Sequence, residues 1–273
     1  MPQELVDEVL GYLREDLDAL KACSLTCKFL FNATRLLIHQ RLVCLGSAKM
    51  DPKPKGCSLG NRKRTPGVFE RLIDADRSGV LPYTLYLTFK PSYTDPYHFF
   101  YPGHLQEYLP HLQSITNLHT LTLDTFHVSP FIPVFNQHFG MFANTLRHLD
   151  IRNAYGTTRE LSYIICQFPL LEDLTIAHPA GRDNVHDEVP AIAQSPPLRG
   201  KLALVQTGSM ELSRGLAAFP GGLNFRSLEV SWSKHLEPIF EACSRTVTSI
   251  SYLWPRDASH GEPDLPIQMY IAM

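Results

Sequence analysis

The sequence predicts a chain of the α+β or α/β class, in which three to four short helices precede a curved solenoid of irregular strand and helix repeats. Three observations predict this. Apolar side chains recur at helical spacing over the first 45 residues, a basic and turn-rich segment follows, and a strand pattern L-x-x-L-x-L then recurs along the chain. We therefore divide the chain into a helical module (1–45), a flexible basic linker (46–67) and a repeat domain (68–273) of about six to seven units.

The helical module is short and apolar. Pro2 stands in the first turn, where a helix tolerates proline, and Asp16 is suited to cap a second helix. A fourth helix is predicted over residues 33–43. A module of about 45 residues makes a poor independent core. Its apolar faces therefore either pack on each other and on the rest of the chain, or form a docking face for a partner. The apolar residues of the first two helices are Leu5, Val6, Val9, Leu10, Leu13, Leu17 and Leu20.

The order of residues in this module resembles an F-box, and the run Ala-Cys-Ser-Leu-x-Cys is similar to F-box proteins that are expanded in fungi. Met1 stands where the family usually has leucine, and Leu30 where it favours tryptophan or phenylalanine. The residues that match the family pattern are Pro2, Glu4, Leu5, Val9, Leu10, Leu13, Asp16, Leu17, Leu20, Cys23, Ser24, Leu25, Cys27 and Lys28.

The resemblance implies a receptor subunit of a Skp-cullin-F-box (SCF-type) ubiquitin ligase. In such a ligase a Skp-type adaptor binds the F-box and links it to a cullin, whose RING subunit recruits the ubiquitin-charged enzyme. The chain would then catalyse no reaction and need no cofactor or metal, because it acts by holding its protein substrate near the ubiquitin thioester. The resemblance and the apolar pattern assign adaptor binding to Pro2, Leu5, Val6, Val9, Leu10, Leu13, Leu17 and Leu20.

Composition narrows the other classes of partner. The net charge of −2 leaves no electrostatic footprint for nucleic acid, and no apolar run is long enough for a membrane span. Six scattered cysteines without a C-x-x-C pair argue against disulfides and structural zinc, so we expect a reducing compartment, cytoplasm or nucleus. The basic linker is interpreted as mobile and solvated, with a nuclear-import signal or a nucleic-acid contact as the alternatives.

The strand pattern predicts a parallel sheet. Its spacing falls within the 20–29-residue period of leucine-rich repeats, which the segment resembles loosely. Helices are predicted between the strands, over residues 130–144, 159–168, 186–194, 211–219 and 236–243, and a divergent first strand over 83–89. The family's asparagine or cysteine is missing at Phe126, Ala154, Pro179 and Ser233, so we expect uneven repeats. The pattern begins at Leu118, Leu146, Leu171, Leu198, Phe225 and Val247, with one inserted residue in the unit of Leu198.

The strand residues between the leucines should face solvent on the concave side of the sheet. There, His148, Asp150, Arg152 and Asp173 are expected to lie together on adjacent strands. They form either a recognition patch or an ordinary solvated sheet face. The residues that we assign to substrate binding are Thr122, Asp124, His148, Asp150, Arg152, Asp173 and Glu229.

Two other function classes stay open: a Skp-binding protein that acts outside a ligase, and an enzyme with a cryptic site among the repeats. The motifs do not favour an enzyme. Ser58 lies in a G-x-S-x-G match without the strand and helix that a nucleophile elbow needs, and residues 74–79 start a calcium loop whose twelfth position would be Leu85. The last residues supply no polar cap for the final repeat, so a further segment beyond Met273 is an expectation.

Overall fold

One mostly parallel β-sheet organises the fold. The computed structural model describes residues 3–13, 16–46, 70–91, 109–181, 197–205, 210–231, 235–253 and 267–269. Its strands are β1 (Arg41–Gly46), β2 (Tyr86–Pro91), β3 (Thr120–His127), β4 (His148–Gly156), β5 (Asp173–Ala177), β6 (Ala180–Gly181), β7 (Leu198–Val205), β8 (Leu223–Ser231), β9 (Ser249–Leu253) and β10 (Ile267–Met269).

The strands follow one another across the sheet in chain order. The order is β1-β2-β3-β4-β5-β7-β8-β9-β10, and the two-residue β6 pairs with β4 beside β5. Every pairing is parallel except that of β9 with β10. The α/β class and the parallel sheet are therefore confirmed.

Helices lie in the crossovers that parallel strands require. They are α4 (Glu70–Arg77), α5 (Val128–Val134), α6 (Thr158–Cys166), α7 (Met210–Ala217) and α8 (Glu237–Cys243). Four of the five predicted inter-strand helices are confirmed, although the first continues past α5 as a π turn, Phe135–Phe139, and a 3-10 turn, Gly140–Phe142. The fifth, over 186–194, lies outside the described residues. Within the described ranges, no helix has the length and apolar character to cross a membrane.

The leucine pattern supplies the main core. In β4, Leu149 and Ile151 are buried, whereas Asp150 between them lies on the other face and is only partly covered, as alternation along a strand requires. Phenylalanine rings fill the space between strands and helices, and Phe135 stacks on Phe139 with ring centroids 4.7 Å apart. Burying these side chains is the dominant favourable term for the sheet.

The helical module forms α1 (Gln3–Tyr12), α2 (Leu17–Ser24) and α3 (Lys28–Ile38). The predicted cap of α2 is confirmed, because Asp16 Oδ1 accepts a hydrogen bond of 2.9 Å from the Ala19 N–H. The three helices enclose a core of their own, centred on Val6, Leu10 and Leu20 and separate from that of the sheet.

The predicted fourth helix is wrong beyond Ile38. Residues 41–46 form β1, in which buried Cys44 alternates with exposed Arg41 and Val43, and β1 pairs in parallel with β2. The carbonyl of Gln40 accepts hydrogen bonds of 2.9 Å from the N–H groups of Leu85 and Tyr86, at the start of β2. The sheet thus begins before the predicted linker. Residues 47–67 of that linker, which include the motif at Ser58, lie outside the described residues.

A left-handed residue recurs at one position of three neighbouring strands. Thr125, Asn153 and His178 have φ of 56°, 48° and 48°, and each follows a residue that is in register with its neighbours. Asp124 Oδ1 contacts two of these residues, because it accepts hydrogen bonds from Thr125 Oγ1 (2.9 Å) and Asn153 Nδ2 (2.7 Å). Non-glycine residues adopt this conformation rarely, and here it occurs within β3, within β4 and directly after β5.

Candidate binding surfaces

Helix α1 carries two apolar stripes. Val6 and Leu10 are almost completely buried, at 1% and 2% exposure, and pack in the helical core. Leu5, Val9 and Tyr12 recur at i, i+4 and i+7 and are 51%, 56% and 84% exposed. An apolar stripe of this spacing normally faces a core, so the second stripe lacks the cover that the first one has.

Further apolar side chains are exposed around the junction of α2 and α3. Leu25, at the end of α2, is 86% exposed, and Phe29 and Phe31 at the start of α3 are 45% and 46% exposed. These residues were not assigned to adaptor binding. The apolar pattern contained them, but it does not tell a surface residue from a core residue.

The structure divides the residues assigned to adaptor binding. Leu5 and Val9 are exposed, Leu13 is half-buried, and Pro2 lies outside the described residues, as does the side chain of Leu17. The remaining three are Val6, Leu10 and Leu20, whose side chains fill the helical core and are covered by the chain itself. The predicted docking surface is therefore limited to the exposed stripe of α1.

The residues assigned to substrate binding lie on the strands as expected. His148 and Asp173 are in register on β4 and β5, and His148 Nδ1 lies 2.9 Å from Asp173 Oδ2. Arg152 donates two hydrogen bonds to the Asp150 carboxylate, from Nη2 at 2.6 Å and Nε at 2.9 Å. The expectation that these four residues lie together is confirmed.

Neighbouring residues complete a row of paired charges across this face. Thr122 is in register with Asp150, and Asp124 lies at the kink of β3. Glu229 on β8 forms an ion pair with Lys201 on β7. Asp124 accepts hydrogen bonds from neutral groups, whereas Glu229 has an opposite charge beside it, so the face carries both signs of charge, and ion pairs at a surface contribute little to stability.

Other titratable groups with shifted pKa values lie between elements of the fold. A hydrogen bond from His111 (2.6 Å) and a second from Ser114 (2.6 Å) lower the pKa of Asp76, which joins α4 to the turn at Leu109–Ser114. Burial raises the pKa of Cys243 to about 11. Desolvation, reinforced by Arg35, lowers the pKa of His39. The pKa shifts of these three groups therefore arise from contacts and burial within the fold.

Metal chemistry finds no support in the described ranges, where no cluster of three His, Cys, Asp or Glu side chains is placed to hold an ion. The arrangement of the described residues is suited to binding: an uncovered apolar stripe on α1 and a polar strand face on the sheet. In the comparisons with known proteins, no model of a protein family and no curated protein matches this chain.

Proposed function

We propose that the chain is the substrate-recognition subunit of an SCF-type ubiquitin ligase, with α1–α3 docked on a Skp-type adaptor and the sheet holding a protein substrate. The observation that carries the proposal is the exposed stripe of Leu5, Val9 and Tyr12 beside a core that is already filled. It occurs within the segment whose residue order resembles an F-box.

The exposed apolar residues provide a driving force for docking. Burying a Leu, Val or Phe side chain fully contributes about 1.5–3 kcal/mol, and residues that are half-exposed would gain about 1 kcal/mol each on docking. Six exposed side chains then give a gross contribution of about 6 kcal/mol, from which the cost of association must be subtracted. The six are Leu5, Val9, Tyr12, Leu25, Phe29 and Phe31.

The order of the strands supports the second part of the proposal. Parallel strands that follow chain order, joined by helices that contact one another in sequence from α5 to α8, support the proposed solenoid. Such folds bind partners on the strand face that the helices leave open. We accordingly propose that the substrate contacts Thr122, Asp124, His148, Asp150, Arg152, Asp173 and Glu229.

Co-expression with a Skp-type adaptor tests the proposal. Wild type should co-purify with the adaptor, and the variant Leu5→Glu/Val9→Glu should not, because it places two charges in the apolar contact. The variant Gln113→Glu/Asn117→Glu is the matched control, since it adds the same charges at exposed positions of the repeat domain. Retention of the adaptor by the α1 variant would contradict the proposal.

Co-precipitation of cullin distinguishes a ligase subunit from a Skp-binding protein that acts outside a ligase. The ligase interpretation requires cullin to co-precipitate with wild type from cells and to be lost with the α1 variant. We expect this assembly in the cytoplasm or nucleus. Adaptor without cullin would support the alternative interpretation.

A further inference from the structure

The open face of the sheet extends two strands beyond the residues assigned to substrate binding. That assignment starts at Thr122 of β3, because the segment that forms β1 was predicted to be helical. In the structure, β1 pairs in parallel with β2, and β2 pairs in parallel with β3. The face on which we propose that the substrate binds therefore includes a region that sequence reasoning omitted.

Strand register shows which side chains belong to this region. Arg41 is in register with Tyr86, which is in register with Thr120 of β3. The alternate residues of β1, Leu42 and Cys44, pack in or against the core of the sheet, so Arg41 lies on the open side. The described side chains of β1 and β2 on the open side are those of Arg41, Val43, Tyr86, Thr88 and Lys90.

A guanidinium group and an aromatic ring are stacked at this end of the face. The Cζ atom of Arg41 lies 5.2 Å from the centroid of the Tyr86 ring. A cation–π contact orients both groups, so less conformational freedom is lost when a partner binds them. Tyrosine and arginine are also among the residue types that contribute most to the affinity of protein interfaces.

Val43 adds apolar surface beside the stacked pair. Its side chain is 37% exposed, and it follows Arg41 by two residues on the same side of β1. From the strand spacing and the rise per residue, Val43 and Tyr86 are about 8 Å apart along the diagonal. One large apolar side chain of a partner can therefore contact both residues.

The charges at this end of the face differ from those on the strands that follow. Arg41 and Lys90 are the charged residues of β1 and β2, and neither strand contains a carboxylate. The next three strands carry Asp124, Asp150 and Asp173. Because binding partners present complementary charges, a segment that crosses β1 and β2 should carry a carboxylate there.

We propose that β1 and β2 anchor the substrate through a protein segment in which a large apolar side chain stands next to an aspartate or glutamate. The apolar side chain contacts Tyr86 and Val43. The neighbouring carboxylate accepts charge-assisted hydrogen bonds from the Arg41 guanidinium group. The inference rests on the proposed function, since it specifies the substrate that the sheet holds.

Binding of peptide libraries to the full chain without adaptor tests the inference. The libraries share random flanks and differ in two central residues, which are phenylalanine-aspartate, phenylalanine-lysine or serine-aspartate. We expect the phenylalanine-aspartate library to bind about tenfold more tightly than the other two, because each of those lacks one of the two contacts. Equal binding of the three libraries, binding of none, or tighter binding of a single-stranded RNA would overturn the proposal.

Variants of the chain assign the binding to β1 and β2. Tyr86→Ala should weaken binding of the phenylalanine-aspartate library about tenfold or more, whereas Tyr86→Phe keeps the ring and should bind nearly as wild type does. Arg41→Glu replaces an exposed residue and should shift the preference to the phenylalanine-lysine library. Arg214→Glu makes the same charge change at an exposed position of α7 and is the control. An unchanged preference in Arg41→Glu would refute the assignment.

The adaptor-binding variant separates this inference from the proposed function. Leu5→Glu/Val9→Glu should bind the phenylalanine-aspartate library as wild type does, because the helical module and the sheet have separate cores. A wild-type chain that binds this library but no adaptor would contradict the proposed function alone. A wild-type chain that binds the adaptor but does not prefer this library would contradict the inference alone.

Discussion

Two adjacent residues of α1 offer a test of how the helical module divides its apolar side chains. Leu10 is 2% exposed in the core of the module, while Val9 beside it is 56% exposed. We compare Leu10→Ala with Val9→Ala, since both remove methyl groups from the same helix. Because Leu10 lies in the core and Val9 at the surface, only the first change should open the module.

The expected magnitudes follow from burial. A buried Leu→Ala change costs about 2–5 kcal/mol, and a core with three fully buried residues can relax around the gap, so we expect about 2–3 kcal/mol. Val9→Ala loses less than half of that burial, and alanine has the higher helix propensity, so its effect should stay below about 0.5 kcal/mol.

Native-state hydrogen exchange measures the difference locally. Amides of α1–α3 should exchange about 30- to 150-fold faster in Leu10→Ala and less than about threefold faster in Val9→Ala. Amides of β4 and β5 provide an internal reference, because they belong to a separate core. Equal acceleration by both changes would refute the assignment of one stripe to the core and the other to the surface.

Three further predictions concern the repeat domain. Glu160→Ala should lower the free energy of unfolding in urea by about 2–4 kcal/mol. The reason is that this buried carboxylate accepts a hydrogen bond from a serine of α5 and caps α6. A loss under about 1 kcal/mol would contradict this. The hydrogen bond from His111 depresses the pKa of Asp76, so its stabilisation is present above about pH 4, the unfolded value, and is lost as the pH falls through the folded value. Asp76→Asn should therefore be less stable than wild type at pH 7, with a smaller difference near pH 3, and a difference that grows in acid would be the wrong sign. Cys243, whose pKa burial raises to about 11, should resist iodoacetamide at about pH 8 while exposed Cys27 reacts, as peptide mass mapping would show; similar rates at both thiols would disprove its burial.

The parallel sheet could be predicted because burial follows the leucine pattern closely. Leu149 and Ile151 are buried at the positions that the pattern marks, and the partly covered Asp150 is where alternation places it. Burial on one face of a strand has a period of two residues, so it is visible in a single sequence. The pairing of His148 with Asp173 follows from the same register.

Strand β1 could not be predicted in this way. Its apolar residues, 42–45, follow α3 after only three polar residues, and a short apolar run does not distinguish a strand from a helix. What decides the outcome is pairing with β2, more than forty residues later in the chain. Local pattern carries no information about that partner.

The binding surfaces were only partly predictable. Val6 and Val9 are the same residue type within one turn of α1, and only the placement of α2 and α3 makes the first core and the second surface.

The docking of α1 on a Skp-type adaptor is the central claim, and calorimetric titration of purified adaptor into the full chain tests it most directly. We expect saturable one-to-one binding by wild type, and a loss of at least about 2 kcal/mol, or about 30-fold in Kd, in Leu5→Glu/Val9→Glu. The Gln113→Glu/Asn117→Glu control should bind as wild type does. Absence of binding by folded wild type, or an unchanged Kd in the α1 variant, would contradict the claim.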